Sequence, residues 1–180
     1  MIVASRYAKS LIDLATEIKK LEQTRIDMLL VKEVCESNHD FALLLQSPIV
    51  KTDKKLAIFK SIFEGKISET TSAFLNLIVS KRREGYLKDI SISFDEQYKI
   101  KKNITTVRVT SPIKLDANLK KQILEIVKQT VTGEIDLIEK LDQSLIGGFV
   151  LTINDTQFDQ SVKRKLNDLR KTFAGNINLN

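Results

Sequence analysis

The feature that most constrains the fold is a change in the spacing of apolar residues near residue 104. Before that point apolar residues recur at every third or fourth position, as in amphipathic helices, and strand-like alternation is absent. After that point Val107 and Val109 alternate with polar residues, which is the pattern of a half-buried strand. We therefore predict a helical domain over residues 1–104 and a second domain, which contains strands, over residues 105–180.

Short helices joined by brief connections predict a six-helix bundle in the first domain. We expect Pro48 to stop the third helix and Ser68 to cap the fifth. In the second domain the pattern predicts a strand, a helix closed by Gly133, strands at EIDLIEKL and GGFVLTI, a short strand at TQF, and a last helix capped by Asp159. The expected fold class is mainly α with a small α+β part.

The overall composition is that of a globular protein, because 42% of the 180 residues are hydrophobic and 29% are charged. The net charge of +6 favours acidic partners. Basic clusters at Lys81–Arg83 and Lys163–Lys165 could contact phosphates, although no aromatic residue is interleaved for base stacking. A basic nucleic-acid-binding adaptor is therefore the alternative function. The longest apolar runs are shorter than the roughly 20 residues of a membrane-spanning helix, so we expect membrane association only through partners.

The sequence offers little for catalysis. Gly147 and Gly148 are followed by a strand pattern rather than by a helix, and no lysine with serine or threonine follows them, so we predict a packing role and not a phosphate loop. Cys35 and His39 are the only cysteine and histidine, which leaves no cluster with metal-ligand spacing. We expect a buried Cys35, an exposed His39 at a helix start, no metal, no cofactor and no enzymatic activity.

The helices carry more apolar surface than one core requires. Helix five is apolar over more than half of its circumference, through Phe74, Leu75, Leu77, Ile78 and Val79. Helix one has two apolar faces: a stripe of Val3, Tyr7, Leu11, Leu14, Ile18 and Leu21, and a second face of Ala4, Ala8, Ile12 and Ala15. Two interpretations are open. Helix five is central in the bundle, or a groove between helices one and five accepts an amphipathic helix of a partner.

Several segments in this order resemble one known family. They are ASRYAKSLIDLA, LLLQSPIVKTDKKLAIFKSIF, FLNLIVSKRREGYLKDISISFDEQY, VRVTSPIKL and LIGGFVLTINDTQFDQSVKRKLNDLRK. Together they are similar to the delta subunit of F-type ATP synthase, the bacterial counterpart of the mitochondrial oligomycin-sensitivity-conferring protein. The resemblance spans nearly the whole chain, and the closing segment is its most specific part.

The resemblance implies a non-catalytic stator subunit without a cofactor, at the cytoplasmic face of the bacterial plasma membrane. The first domain would bind the N-terminal helix of an alpha subunit on top of the catalytic head, and the second would hold the b subunits of the peripheral stalk. No nucleic acid is implied. The implied groove residues are Ala4, Tyr7, Ala8, Leu11, Ile12 and Ala15, with Leu75, Asn76, Ile78 and Val79 opposite. In the second domain, the residues expected to support the fold or to contact the stalk are Gly147, Gly148, Phe149, Asp159, Val162 and Leu166.

Overall fold

A computed structural model describes residues 2–131, 133–154 and 156–176. The chain divides into two compact units: an N-terminal unit that ends at Lys101 and a C-terminal unit that begins at Lys102. The first is helical, and the second combines helices with a four-stranded sheet. The predicted fold class, mainly α with a small α+β part, is confirmed.

The N-terminal unit contains the six expected helices. They are α1 (Ile2–Glu17), α2 (Leu21–Ser37), α3 (His39–Gln46), α4 (Thr52–Phe63), α5 (Glu69–Ser80) and α6 (Leu87–Lys102), with a 3₁₀ turn at Glu84–Tyr86 before α6. Two helices begin at side-chain caps, because the Asn38 side chain accepts from the Phe41 N–H at 3.0 Å and Ser68 Oγ accepts from the Thr71 N–H at 3.4 Å. The predicted cap at Ser68 is confirmed.

A buried ion pair joins three elements of this unit. Lys55 of α4 lies 2.5 Å from Glu84 of the 3₁₀ turn, and its ammonium also donates to the Leu45 carbonyl near the end of α3 at 3.1 Å. Both side chains are almost completely buried. Because a buried charge requires partners, this pair fixes the turn before α6 against α3 and α4. Close by, the rings of Phe41, Phe59 and Phe63 form an aromatic cluster between α3 and α4.

A second buried carboxylate, Asp27 on α2, holds the beginning of α5. It accepts from the Ser68 N–H at 2.9 Å, from Ser68 Oγ at 2.6 Å, from Thr71 Oγ1 at 2.7 Å and from Gln23 Nε2 at 2.9 Å. Burial alone would raise the pKa of Asp27, but these hydrogen bonds outweigh it, so the pKa lies below its ordinary value of 3.8. The negative charge also suits the positive end of the α5 dipole.

The C-terminal unit contains β1 (Ile104–Ser111), α7 (Ala117–Thr130), β2 (Glu134–Leu141), β3 (Val150–Ile153), β4 (Thr156–Asp159) and α8 (Val162–Asn176). The sheet order is β2-β1-β3-β4, with β1 parallel to β2 and β3 antiparallel to both of its neighbours. One face of the sheet packs on α7 and forms the core, made of Val107, Val109, Leu115, Ile123, Val127, Leu151 and Ile153. The alternation of Val107 and Val109 with polar residues is what gives the sheet one buried face.

Two helix ends differ from the sequence prediction. Gly133 does not close α7, which ends at Thr130 with Val131 in an extended conformation. Asp159 does not cap α8 directly. Ser161 Oγ accepts from the Arg164 N–H at 3.2 Å, while the Asp159 carboxylate accepts from the Ser161 N–H at 2.8 Å and so orients the residue that caps the helix. The Asp159 hydrogen bonds form a turn that shifts the start of α8 by two residues.

The Asp27 network makes the stability of the N-terminal unit depend on pH. A carboxyl whose pKa is lower in the folded than in the unfolded state adds stability above the unfolded pKa, and this is lost as the pH falls through the folded pKa. We expect Asp27→Asn to cost about 2–4 kcal/mol near neutral pH and to weaken the decline in stability at acid pH. Denaturant unfolding of the helical signal between about pH 6 and pH 2 measures both effects.

The matched control for this experiment is Asp13→Asn, which removes an exposed carboxylate from α1. It should change the free energy of unfolding by no more than about 0.5 kcal/mol. Equal effects of the two substitutions would show that the Asp27 hydrogen bonds do not hold α5.

Candidate binding surfaces

The structure places most of the predicted groove residues inside the bundle. On α1, Ala4, Ala8, Leu11, Ile12 and Ala15 are buried, and so are Leu75, Ile78 and Val79 on α5. Tyr7 is half-buried and Asn76 is exposed. The small-residue face of α1 therefore belongs to the core, because alanines let neighbouring helices approach closely.

The accessible apolar surface of α1 lies on its other stripe. Leu14 is 45% exposed, Ile18 is similarly exposed, and Val3 and Tyr7 are half-buried. This stripe is not exposed throughout, because Leu11 is buried together with the alanine face. On α5 the large apolar residue that is exposed is Leu77, at 46%. Because α2 contacts both α1 and α5, both helices are anchored to one element.

The outer side of α5 also borders a groove shared with α4. This groove has a volume of about 1250 Å³, and its lining includes Leu56, Ile67, Leu75, Asn76 and Leu77. Sequence reasoning missed it. The signal was present in Leu56 and Ile67, which are apolar positions that do not enter the buried core.

In the C-terminal unit, the two glycines lie in the loop just before β3 and not within the strand. Gly147 accepts through its carbonyl from the Val162 N–H at 3.0 Å, and the Phe149 carbonyl accepts from the Gln160 N–H at 3.0 Å. A Cβ at Gly148, where φ is +77°, would lie 2.4 Å from the Gln160 carbonyl oxygen. The glycines therefore let this loop lie directly against the residues that begin α8.

An apolar groove of about 920 Å³ opens beside these glycines. Its lining comes from α7, from the loop before α7, from β3 and β4, and from the beginning of α8. Ile113 and Ile146 on its rim are 74% and 76% exposed. Ile126 and Phe158 are about half-exposed, and Phe149, one of the predicted residues, is half-buried in the lining. Exposed apolar side chains gathered in one concavity are typical of a surface that a partner covers.

The remaining predicted residues lie at the start of α8. Val162 and Leu166 are exposed, and Asp159 is half-buried. Hydrogen bonds from the backbone and the hydroxyl of Ser161 hold the pKa of Asp159 below its usual range, so its carboxylate stays charged in the turn. Asp159 acts on the fold of this turn, whereas Val162 and Leu166 are available for contact.

The groups that sequence analysis considered for chemistry are dispersed. Cys35 is buried, and burial raises the pKa of its thiol to about 11, which makes it unreactive. His39 is exposed at the start of α3. Within the described ranges no group of histidine, cysteine, aspartate or glutamate could hold a metal ion. The basic cluster at Lys81–Arg83 occupies a turn after α5 and not a helix, because α5 ends at Ser80.

The part of the chain that the structure describes contains no helix with both the length and the apolar character required to cross a membrane. The fold and its surfaces define a two-unit binding protein: a helical bundle and an α+β unit, each with apolar side chains left exposed beside a packed core.

Comparison with known proteins assigns this class of protein to a family. The family model described as ATP synthase delta (OSCP) subunit matches residues 3–173. ATP synthase subunit delta of Cytophaga hutchinsonii is 40% identical over 179 residues, covering 97% of this chain and 96% of that protein. The subunit delta of Amoebophilus asiaticus is 38% identical over 173 residues, covering 96% of this chain and 94% of that protein. A chain of the Toxoplasma gondii mitochondrial ATP synthase hexamer has a similar fold, with a TM-score of 0.72 at 23% identity, covering 95% of this chain and 97% of that chain.

The chain therefore belongs to the ATP synthase delta (OSCP) subunit family. It is a non-catalytic stator subunit of a membrane-associated complex. The resemblance identified from the sequence is confirmed.

The close approach at Gly148 leads to a stability prediction. We expect Gly148→Ala to destabilise the C-terminal unit by roughly 3 kcal/mol or more, because the new Cβ would clash with backbone and would also sit at positive φ. Gly65→Ala is the matched control, since Gly65 has a similar φ of +74° but nothing within 4 Å of the added carbon. It should cost only about 1–2 kcal/mol, in the N-terminal unit.

Hydrogen exchange of the amides in the β1–β3 ladder measures the stability of the C-terminal unit separately from that of the bundle. If these amides are as well protected from exchange in the Gly148→Ala variant as in the original chain, the glycine is not required for the loop to lie against α8.

Proposed function

We propose that this chain joins the top of the catalytic head to the peripheral stalk of an F-type ATP synthase and resists the torque of the rotor during proton-driven ATP synthesis. The N-terminal unit binds the N-terminal helix of an alpha subunit, and the C-terminal unit binds the b subunits. The chain acts at the cytoplasmic face of the bacterial plasma membrane and meets the membrane only through the complex.

The observation that carries the proposal is the pair of separate apolar surfaces, one on each compact unit. A stator joint needs an anchor for each of its two partners, and exposed apolar residues around a packed core provide such anchors. In the absence of a second surface, the chain could cap the head but could not transmit force to a stalk.

For the head contact, we propose that the alpha-subunit helix lies along α1 and α5. The buried residues Ala8, Leu11, Ile12, Leu75 and Ile78 set the close packing beneath this surface. The residues that meet the partner are the accessible ones: Tyr7 and Leu14 on α1, Ile18 just after α1, and Asn76 and Leu77 on α5. Apolar side chains at this helical spacing are suited to an amphipathic helix.

For the stalk contact, we propose the apolar groove of the C-terminal unit together with the exposed side of α8. Gly147, Gly148 and Asp159 support this surface by fixing the loop before β3 against the beginning of α8. Phe149, Val162 and Leu166 supply apolar contact area. Slow dissociation from both partners, rather than fast binding, is what a joint under load requires.

The head contact predicts the effects of two substitutions. Leu14→Arg on α1 and Leu77→Arg on α5 should each weaken binding to catalytic heads by about tenfold or more, because a charge would be placed in an apolar interface. Both positions are exposed in the free chain, so the folded bundle should be retained, as circular dichroism would show. Sedimentation with heads stripped of this subunit measures the affinity.

Ile49→Arg is the matched control, because Ile49 is an exposed isoleucine in the loop between α3 and α4. It should leave the affinity for heads unchanged. If Leu14→Arg and Leu77→Arg also bind like the original chain, α1 and α5 do not form the head-binding surface. A steep loss of binding to nucleic acid with added salt would instead favour the basic adaptor function.

A further inference from the structure

The exposed side of α8 carries a stripe of apolar residues with basic residues on both sides of it. At 100° per residue, Val162, Leu166 and Leu169 project from one stripe of the helix. Lys165 lies roughly 60° to one side of that stripe, and Lys163 and Arg170 lie within roughly 100° on the other. All six side chains are exposed. The apolar stripe of α8 is therefore flanked on both sides by positive charge.

The only acidic residue of α8 does not balance this charge. Asp168 lies on the back of the helix, where it pairs with Arg164 at 3.7 Å. Five basic residues against one acidic residue leave a net charge of +4 on Val162–Asn176. Asp168 also lies three residues from Lys165, but a single acidic residue cannot offset the basic residues on both sides of the stripe.

The adjacent groove has the same character. Lys165 contributes to its lining together with Lys114, while the apolar residues Ile113, Ile146 and Phe158 form much of its exposed wall. Among the described residues of the lining, Asp116 is the one acidic residue, and its carboxylate caps α7, where it accepts from the Leu119 N–H at 2.6 Å. The groove and the stripe of α8 combine an apolar surface with basic edges.

We propose that this combined surface binds an amphipathic helix whose apolar stripe is flanked by glutamate or aspartate. The proposal rests on the proposed stalk contact and adds the chemistry of the segment that the stalk must present. Burial of the apolar stripes supplies the attraction, while the charged flanks select the partner and its orientation, as they do in paired helices. The groove has a volume of about 920 Å³, and a concave surface accepts the side chains along one face of a helix better than it accepts a flat lipid surface.

Replacing the flanking charges tests this proposal. The double variant Lys165→Gln and Arg170→Gln removes one charge from each side of the stripe and leaves the stripe intact. Its control, Arg108→Gln and Lys140→Gln, removes two charges from exposed sites on the sheet, where Arg108 alternates with the buried Val107 and Val109. Each full-length chain is titrated with the soluble part of the b subunits at low and at high salt.

We expect the α8 variant to bind the b subunits roughly 3- to 10-fold more weakly than the control at low salt, with the difference shrinking at high salt. Equal affinities of the two variants would overturn the proposal while leaving the stalk contact itself in place. Failure of the original chain to bind the b subunits at all would count against the proposed function.

Two synthetic helices of roughly 18 residues test the charge preference without the b subunits. Both carry the same leucine stripe, which is flanked by glutamates in one helix and by lysines in the other. The original chain should bind the glutamate helix, and it should bind the lysine helix at least about tenfold more weakly. The α8 variant should bind the glutamate helix more weakly than the original chain does. Equal binding of both helices would contradict the proposal. So would strong binding to vesicles rich in anionic lipid that is lost in the same variant, because the basic flanks would then serve a membrane surface.

Discussion

The N-terminal unit depends on the buried carboxylate of Asp27. Its hydrogen bonds to Ser68 and Thr71 attach the beginning of α5 to α2, and α2 in turn packs against α1. This ionised group thereby positions the beginning of α5, one of the two helices that carry the proposed head-binding surface. If α5 moved away, the Asp27 carboxylate would remain charged inside the bundle without hydrogen-bond partners. The network therefore fixes the position of the beginning of α5 as well as stabilising the unit.

Each unit divides its apolar residues between its own core and an exposed surface. In the bundle, the alanines of α1 face inward, and Leu14, Ile18 and Leu77 remain accessible. In the C-terminal unit, Val107 and Val109 fill the core beneath α7, whereas Ile113 and Ile146 stay at the rim of a groove. This division is what a joint between two larger partners requires, since an anchor must be exposed in the free chain and buried in the assembly.

The sequence was informative where local chemistry decides the structure. The change of apolar period located the first strand, Ser68 identified the start of α5, and the absence of a helix after the glycines argued against a phosphate loop. These features depend on neighbouring residues only. The start of α8 was misplaced by two residues because Asp159 and Ser161 are both suitable capping residues, and only the turn between them selects Ser161.

The binding surfaces were harder to predict, because exposure depends on tertiary packing. Both faces of α1 are apolar, and periodicity cannot say which of them packs inside; the alanine face does, since small side chains allow the closest contact between helices. The groove beside the glycines could not be inferred at all, as it assembles Ile113, Ile146 and Phe158 from distant parts of the sequence.

The proposed function requires that one chain hold the head and the stalk at the same time through different surfaces. Sedimentation velocity on a mixture of the chain, catalytic heads lacking this subunit, and the soluble part of the b subunits tests it directly. We expect one complex that contains all three components, and saturating b subunits should not lower the affinity of the chain for heads. Displacement of the chain from heads by the b subunits would contradict it, because the two partners would then share a surface.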